Sequence, residues 1–168
     1  RKQKFTVNLF PIEKTKPSNV NLDNVIGLVF PTATFSTYPF IWEFIKNLPN
    51  TENTEVFMLT TLNLFTLGVA SPLKKILSKK GYIPIGAKKI IMPSNYYPKN
   101  INKEKNNQII EKGLKTATKY AKDLINKKAI WKRIPILPDI LFFFLIKQKI
   151  LQKHLTNRGT NLMADKTK

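Results

Sequence analysis

An α/β fold, with a parallel sheet covered by helices on both faces, is what this chain predicts. Three observations carry the prediction. The runs "VIGLVF" at 25–30 and "EVFMLTT" at 55–61 are short and nearly continuous in apolar residues, as strands buried on both sides require. Each is followed by a segment whose apolar residues recur every three or four positions. The two kinds of segment alternate along the chain, which points to strand–helix–strand units.

The elements follow in order. In "KFTVNLFPI", 4–12, Phe5, Val7 and Leu9 fall on one side, the pattern of a half-buried strand. "EKTKPSNVNLDN" is polar and holds a proline, so it reads as a loop. After the strand at 25–30, residues 31–37 form a second loop. From Tyr38 the period becomes helical: Tyr38, Ile41, Trp42, Ile45 and Leu48 share a face, with Glu43, Lys46 and Asn47 opposite. "PNTENT" ends that helix before the strand at 55–61. In "SPLKKILSKKG", 71–81, Ser71 suits the cap, Pro72 the first helical position and Gly81 the left-handed stop. "AKKIIMP", 87–93, reads as the last strand. After the loop "SNYYPKNIN", residues Ile110, Leu114, Ala117, Ala121 and Leu124 mark an amphipathic helix over about 103–128, which Gly113 weakens by roughly 1 kcal/mol against Ala.

The resulting order is β, β, α, β, α, β, α. Past Lys128, "WKRIPILPD" is a proline-broken connector, and "ILFFFLIKQKILQKHL", 140–155, is a further helix outside the alternation. The tail has little to bury. Residues 1–130 thus read as the α/β domain and 131–168 as a linker and helix.

Composition narrows the function classes. A hydrophobic content of 42% in 168 residues suffices for a packed core. No apolar run reaches the roughly 18 residues of a membrane helix. The opening "RKQKFTVNLF" lacks the apolar region and cleavage site of a secretory signal, so a cytoplasmic location is expected. There are no cysteines, which excludes disulfides, a thiol nucleophile and any iron–sulfur cluster held by cysteines of this chain. The net charge of +19 comes almost entirely from lysine; arginine occurs only at Arg1, Arg133 and Arg158. Arginine is the better residue for bidentate phosphate and base contacts. Drift toward Lys, Asn and Ile, as an AT-rich coding sequence produces, is therefore favoured over a built nucleic-acid face. Acidic partners and salt dependence are expected in either case.

Other chemistries lack their residues. His154 is the sole histidine and has no cysteine to share a metal with; on a lysine-rich helix it reads as solvated rather than as part of a Ser-His-Asp triad. "GYIPIGAKK" is not a phosphate loop, since Lys88 does not directly follow Gly86 and a helix rather than a strand precedes it. No G-x-G-x-x-G occurs, and the carboxylates are scattered. What remains is "PTATFSTY", Pro31 to Tyr38, where hydroxyls and rings follow a buried strand. Such a loop suits a flat, mostly neutral ligand; the bland alternative is a plain β–α connection with Phe35 and Tyr38 in the core.

Three stretches bear a family likeness: "GLVFPTATFSTYPFIWEFIKNL", "VFMLTTLNLFTLGVASPLKKILSKKGY" and "KKIIMPSNYYP". In order and spacing they resemble the flavodoxin-like domain that precedes a ferredoxin domain in flavodoxin–ferredoxin fusion proteins, over about 25–128. The resemblance implies a doubly wound sheet with strand order 2-1-3-4-5 and FMN at the carboxyl ends of the strands. It makes 4–12 the second strand, so that the first strand and the Ser/Thr-Gly-x-Thr phosphate loop behind it are absent. The fold is then incomplete at its N-terminus, with an extra C-terminal helix. The chain is expected to be the middle of a longer protein that continues into a cysteine-rich 4Fe-4S ferredoxin. The alternative is a degenerate product in which 5–10 pairs directly with 25–30.

By the same resemblance, the hydroxyls of Thr32, Thr34, Ser36 and Thr37 and backbone amides of the loop that runs from Pro31 through Ala33 to Tyr38 would bond the ring's polar edge. Phe35 or Tyr38 lies against its face, worth about 1 kcal/mol. The loop after the next strand, with Thr61, Leu62, Asn63, Phe65 and Gly68, reaches the ring's other side. The family has more glycines there than the lone Gly68. Asn95, Tyr96 and Tyr97 read as a structural loop. Lysines near the ring would stabilise reduced flavin and raise its potential, unlike the usual acidic flavodoxin. The implied function is electron transfer to an acidic redox partner. Two alternatives stand beside it: a non-enzymatic α/β domain using its basic surface on nucleic acid or anionic membrane, and an FMN-dependent NAD(P)H:quinone oxidoreductase.

Overall fold

A computed structural model describes residues 5–33, 36–62, 69–93 and 102–132. Its regular elements are β1 (Ile26–Pro31), α1 (Pro39–Lys46), β2 (Glu55–Leu62), α2 (Ala70–Lys79), β3 (Ile83–Ile91) and α3 (Lys103–Ile125), preceded by two single-turn 3-10 helices at Ile12–Lys14 and Pro17–Asn19. The three strands form one parallel sheet in the order β1-β2-β3. This is the expected α/β alternation from residue 26 onward.

Side chains alternate between the two faces of the sheet. Leu28, Phe30, Val56 and Met58 project to one face and are buried against Ile41, Phe44 and Ile45 of α1 and Leu73 and Leu77 of α2. Burying each such side chain contributes about 1.5–3 kcal/mol. The opposite face carries Phe57, Gly86 and Ile90. There α3 packs over β3. A Cβ at Gly86 would meet the Tyr120 hydroxyl and Leu124, and one at Gly113 would meet Ile90 and Met92. Gly113 is thus the close-approach point that seats α3, which offsets its poor helix propensity.

Several expectations shift. Residues 5–11 form no strand, and Phe5, Val7, Leu9 and Phe10 are 60–87% exposed. The segment alternates correctly but has no strand beside it, and a lone strand leaves both its backbone and its apolar side in water. Direct pairing of 5–10 with β1 does not occur either. β3 begins four residues earlier than the apolar run suggests, at Ile83, and includes Pro84. The register slips between Val56 and Phe57, whose partners are Pro84 and Gly86, leaving Ile85 as the extra residue of a bulge. Proline is tolerated at such a bulge on an outer strand.

α2 starts at Ala70 with Val69 at the cap position and no side-chain cap bond; Ser71 lies inside the first turn. Gly81 does take the left-handed conformation, at φ 85°, and a Cβ there would collide with the Thr51 carbonyl. On α3 the apolar stripe expected in the core is only partly at the contact: Leu124 packs against Gly86, but Ile110 is 39% and Leu114 56% exposed, while Gly113 and Tyr120 are buried. The expected helix at 140–155 lies outside the described residues.

The two outer strands differ. β3 is guarded: Ala87 N–H donates to the Ile130 carbonyl at 3.3 Å, and the same strap buries Trp131, whose indole N–H donates to the Ala70 carbonyl at 3.0 Å. β1 has no strand beyond it among the described residues.

Candidate functional site

The candidate loops start where β1 and β2 end. Pro31 and Thr61 are register partners. Just beyond them, Thr32 N–H donates to the Thr61 carbonyl at 2.8 Å and the Thr32 hydroxyl donates to the same oxygen at 3.0 Å. This doubled bond fastens the two loop bases together on one rim.

The first loop then folds back on itself. Ala33 and Ser36 exchange both backbone hydrogen bonds, each 2.9 Å long. The tip, Thr34 and Phe35, lies outside the described residues. The Ser36 hydroxyl oxygen accepts from the Trp42 indole at 3.1 Å, which leaves its own proton available. Thr37 is buried, and its hydroxyl donates to the Pro31 carbonyl at 2.9 Å. Tyr38 is the N-terminal boundary residue of α1; it is 45% exposed and stacked on Phe40, with centroids 5.8 Å apart and planes 23° from parallel.

Among the predicted residues, the structure therefore gathers Pro31, Thr32, Ala33, Ser36, Thr37, Tyr38, Thr61 and Leu62 at the carboxyl ends of β1 and β2. Asn63, Phe65, Gly68, Asn95, Tyr96 and Tyr97 lie outside the described residues. Three hydroxyls are already engaged in holding the loop, and Leu62 is buried. Thr32 retains acceptor lone pairs and Ser36 a donor, so the rim offers one of each beside an exposed aromatic pair.

Sequence reasoning missed Phe40, although its spacing gave a signal: aromatics at 38 and 40 cannot share one helical face. It also missed the polar row at the end of the sheet. Thr60 and Lys89 are register partners on the face covered by α1 and α2. The Thr60 hydroxyl is buried without a hydrogen-bond partner, as is that of Ser71 in the first turn of α2. Burial holds the Lys89 ammonium below the usual lysine range.

A concavity is also present elsewhere. A cavity of about 440 Å³ opens at the amino ends of the strands, lined by residues that include Asp23, Thr51, Glu52 and Glu55. Ligands of open parallel sheets sit beyond the carboxyl ends, where strand and helix termini converge. The rim of β1 and β2 is accordingly the better candidate. No group of three or more metal-ligating side chains forms among the described residues, and no described helix is long and apolar enough to cross a membrane. No family model, no curated protein and no solved structure matches the chain.

Proposed function

We propose that this α/β unit is an electron-transfer domain holding FMN at the carboxyl ends of its strands, the function implied by the flavodoxin–ferredoxin resemblance. The supporting observation is the junction of Thr32 with Thr61, which ties together the carboxyl ends of β1 and β2, from which the two following loops leave the sheet. A slot for a flat ring needs two such neighbouring walls. The Ser36 proton and the Thr32 lone pairs suit a ring edge that alternates carbonyl and N–H groups. The Tyr38–Phe40 stack offers an apolar surface for its face. These residues fit the ring. They do not fit the phosphate, since α2 opens on Val69 without a side-chain cap and the phosphate loop is absent from this sequence. FMN supplies the redox chemistry; the chain supplies orientation and electrostatics.

The test is titration with FMN and with riboflavin, read by flavin fluorescence. A slot that grips only the ring quenches both, with affinities within about threefold, because a phosphate interaction of even 1.4 kcal/mol would separate them tenfold. Absence of quenching by either flavin would remove the reading.

One observation favours the basic-surface alternative. Lys105, Lys112, Lys115, Lys119 and Lys122 are exposed and spaced along one flank of α3. Such a flank predicts affinity for heparin or DNA that falls steeply with salt. Salt-insensitive binding, or none, would eliminate it.

A further inference from the structure

Two hydroxyls at the rim of β1 and β2 are committed in opposite senses. The Thr32 hydroxyl donates to the Thr61 carbonyl at 3.0 Å, which spends its one proton and leaves lone pairs. The Ser36 hydroxyl accepts from the Trp42 indole at 3.1 Å, and an indole N–H can only donate. The Ser36 proton therefore points away from Trp42. One hydroxyl is an acceptor and the other a donor before any ligand arrives.

A serine hydroxyl left to itself rotates and serves as either. Its surroundings deny Ser36 that choice. Its backbone is fixed by the paired 2.9 Å bonds with Ala33. The next residue, Thr37, is buried and bonded to the Pro31 carbonyl. Trp42 is held as well: it lies on α1 beside the buried Ile41 and Ile45 and packs, half-buried, against the main core. The indole thus reaches Ser36 from a helix seated on the sheet and not from the loop itself.

We propose that Trp42 is a positioning residue: by donating to Ser36 it makes that hydroxyl a preset donor, so that the rim selects a ring edge carrying a carbonyl beside an N–H. The role rests on the flavin reading of the rim and adds to it a residue that touches no ligand. The polar edge of an isoalloxazine has an N–H between two carbonyls. Thr32 takes the N–H, and Ser36 takes the carbonyl on its side. Presetting matters because the cost of orienting the hydroxyl is then met on folding and not on binding. A ligand that sets two donors or two acceptors against this pair leaves a polar group unpaired, a stronger penalty than a lost apolar contact.

The test is competition among riboflavin analogues for the full chain, read by riboflavin fluorescence. Riboflavin methylated at the edge nitrogen lacks the N–H and is expected to bind the wild-type chain about tenfold more weakly than riboflavin. Two further analogues each carry sulfur, a poorer acceptor, in place of one edge carbonyl oxygen. One of them, with its sulfur toward Ser36, should lose about fivefold and the other little. Trp42→Phe keeps an aromatic ring in the half-buried position and deletes the N–H. It should shrink the sulfur penalty to about twofold and leave the methyl penalty as it is. Ser36→Ala should abolish the sulfur penalty, and adding Trp42→Phe to it should change no ratio further, since Trp42 acts through Ser36. A purely structural role for Trp42 would weaken every ligand alike and move no ratio.

The bond is also checked without ligand. The Trp42 indole proton, identified by its loss in Trp42→Phe, should exchange with solvent about fivefold faster in Ser36→Ala than in the wild-type chain. Protected amides at Ala33 and Ser36 verify that Trp42→Phe is folded, and the Ser36→Ala measurements stand apart from that variant. Sulfur and methyl penalties unchanged in Trp42→Phe, equal affinity of the wild-type chain for riboflavin and its analogues, or an indole proton indifferent to the Ser36 hydroxyl would each overturn the role of Trp42 and leave the flavin reading in place. Binding of no flavin at all would remove that reading and the role of Trp42 with it.

Discussion

The Thr37 hydroxyl donates to the Pro31 carbonyl at 2.9 Å, closing the loop after β1 onto the strand it leaves. Thr37 is buried, so this hydroxyl serves the fold and cannot reach a ligand at the rim. The bond also engages the last carbonyl of β1 on the side away from β2.

Thr37→Val keeps the branched shape and deletes the donor. Stability should fall by about 1–2 kcal/mol, measured by urea unfolding, because a hydrogen bond is lost and the Pro31 carbonyl is left unpaired. An unchanged midpoint would mean that water satisfies the carbonyl equally well.

Thr60→Val should act in the opposite direction. The Thr60 side chain is fully buried and its hydroxyl has no partner. Replacing it by a methyl group removes an uncompensated desolvation cost, so a gain of about 1 kcal/mol is expected in thermal or urea unfolding. A loss would reveal a hydrogen bond formed in solution.

Stability should decline at alkaline pH. Burial pushes both Tyr82 and Tyr120 above the ordinary tyrosine value of 10.0. Tyr120 is also held to the Met58 carbonyl at 3.2 Å, and Tyr82 to the Pro49 carbonyl at 2.9 Å. A raised folded-state pKa leaves stability complete below the unfolded value. Above pH 10 the unfolded chain ionises first, and each such tyrosine removes up to about 1.4 kcal/mol per pH unit until its folded-state value is reached. Tyr120→Phe should therefore flatten the fall of stability above pH 10, as followed by denaturant titrations across pH. An unchanged slope would contradict the burial.

Leu9→Ser and Phe10→Ser should each change stability by no more than about 0.5 kcal/mol, since neither side chain is buried. A loss of 1.5 kcal/mol or more would instead mark a packed strand at 4–12, as the alternation alone suggests.

Legibility in the sequence followed the range of the physics. The apolar runs announcing β1 and β2, the buried stripe of Ile41, Ile45 and Leu48 and the left-handed stop at Gly81 depend on a few neighbouring residues and appear where local pattern puts them, whereas Tyr38, expected on that stripe, precedes α1 and is exposed. β3 was only half legible: Pro84 hid its start, because proline is acceptable there only through a bulge that pairing with β2 creates. The stripe on α3 was legible as a stripe but not as to its burial. Gly113, a weak helix residue by propensity, became the contact point because its bareness lets α3 approach Ile90 and Met92. At the candidate site the hydroxyls could be read. Their commitments to Pro31, Thr61 and Trp42 could not, since each crosses a turn or a strand.

By itself the sequence determined the alternation of strand and helix, the absence of cysteine chemistry and the strongly basic charge, because these follow from composition and from periods of two to four residues. Only the tertiary structure decided that 5–11 is no strand, that among the described residues β3 is covered by a strap while β1 has no strand beyond it, and that the carboxyl ends of β1 and β2 share a rim. Those are facts of pairing, and whether a strand finds a partner is set by what lies across the sheet rather than by its own residues.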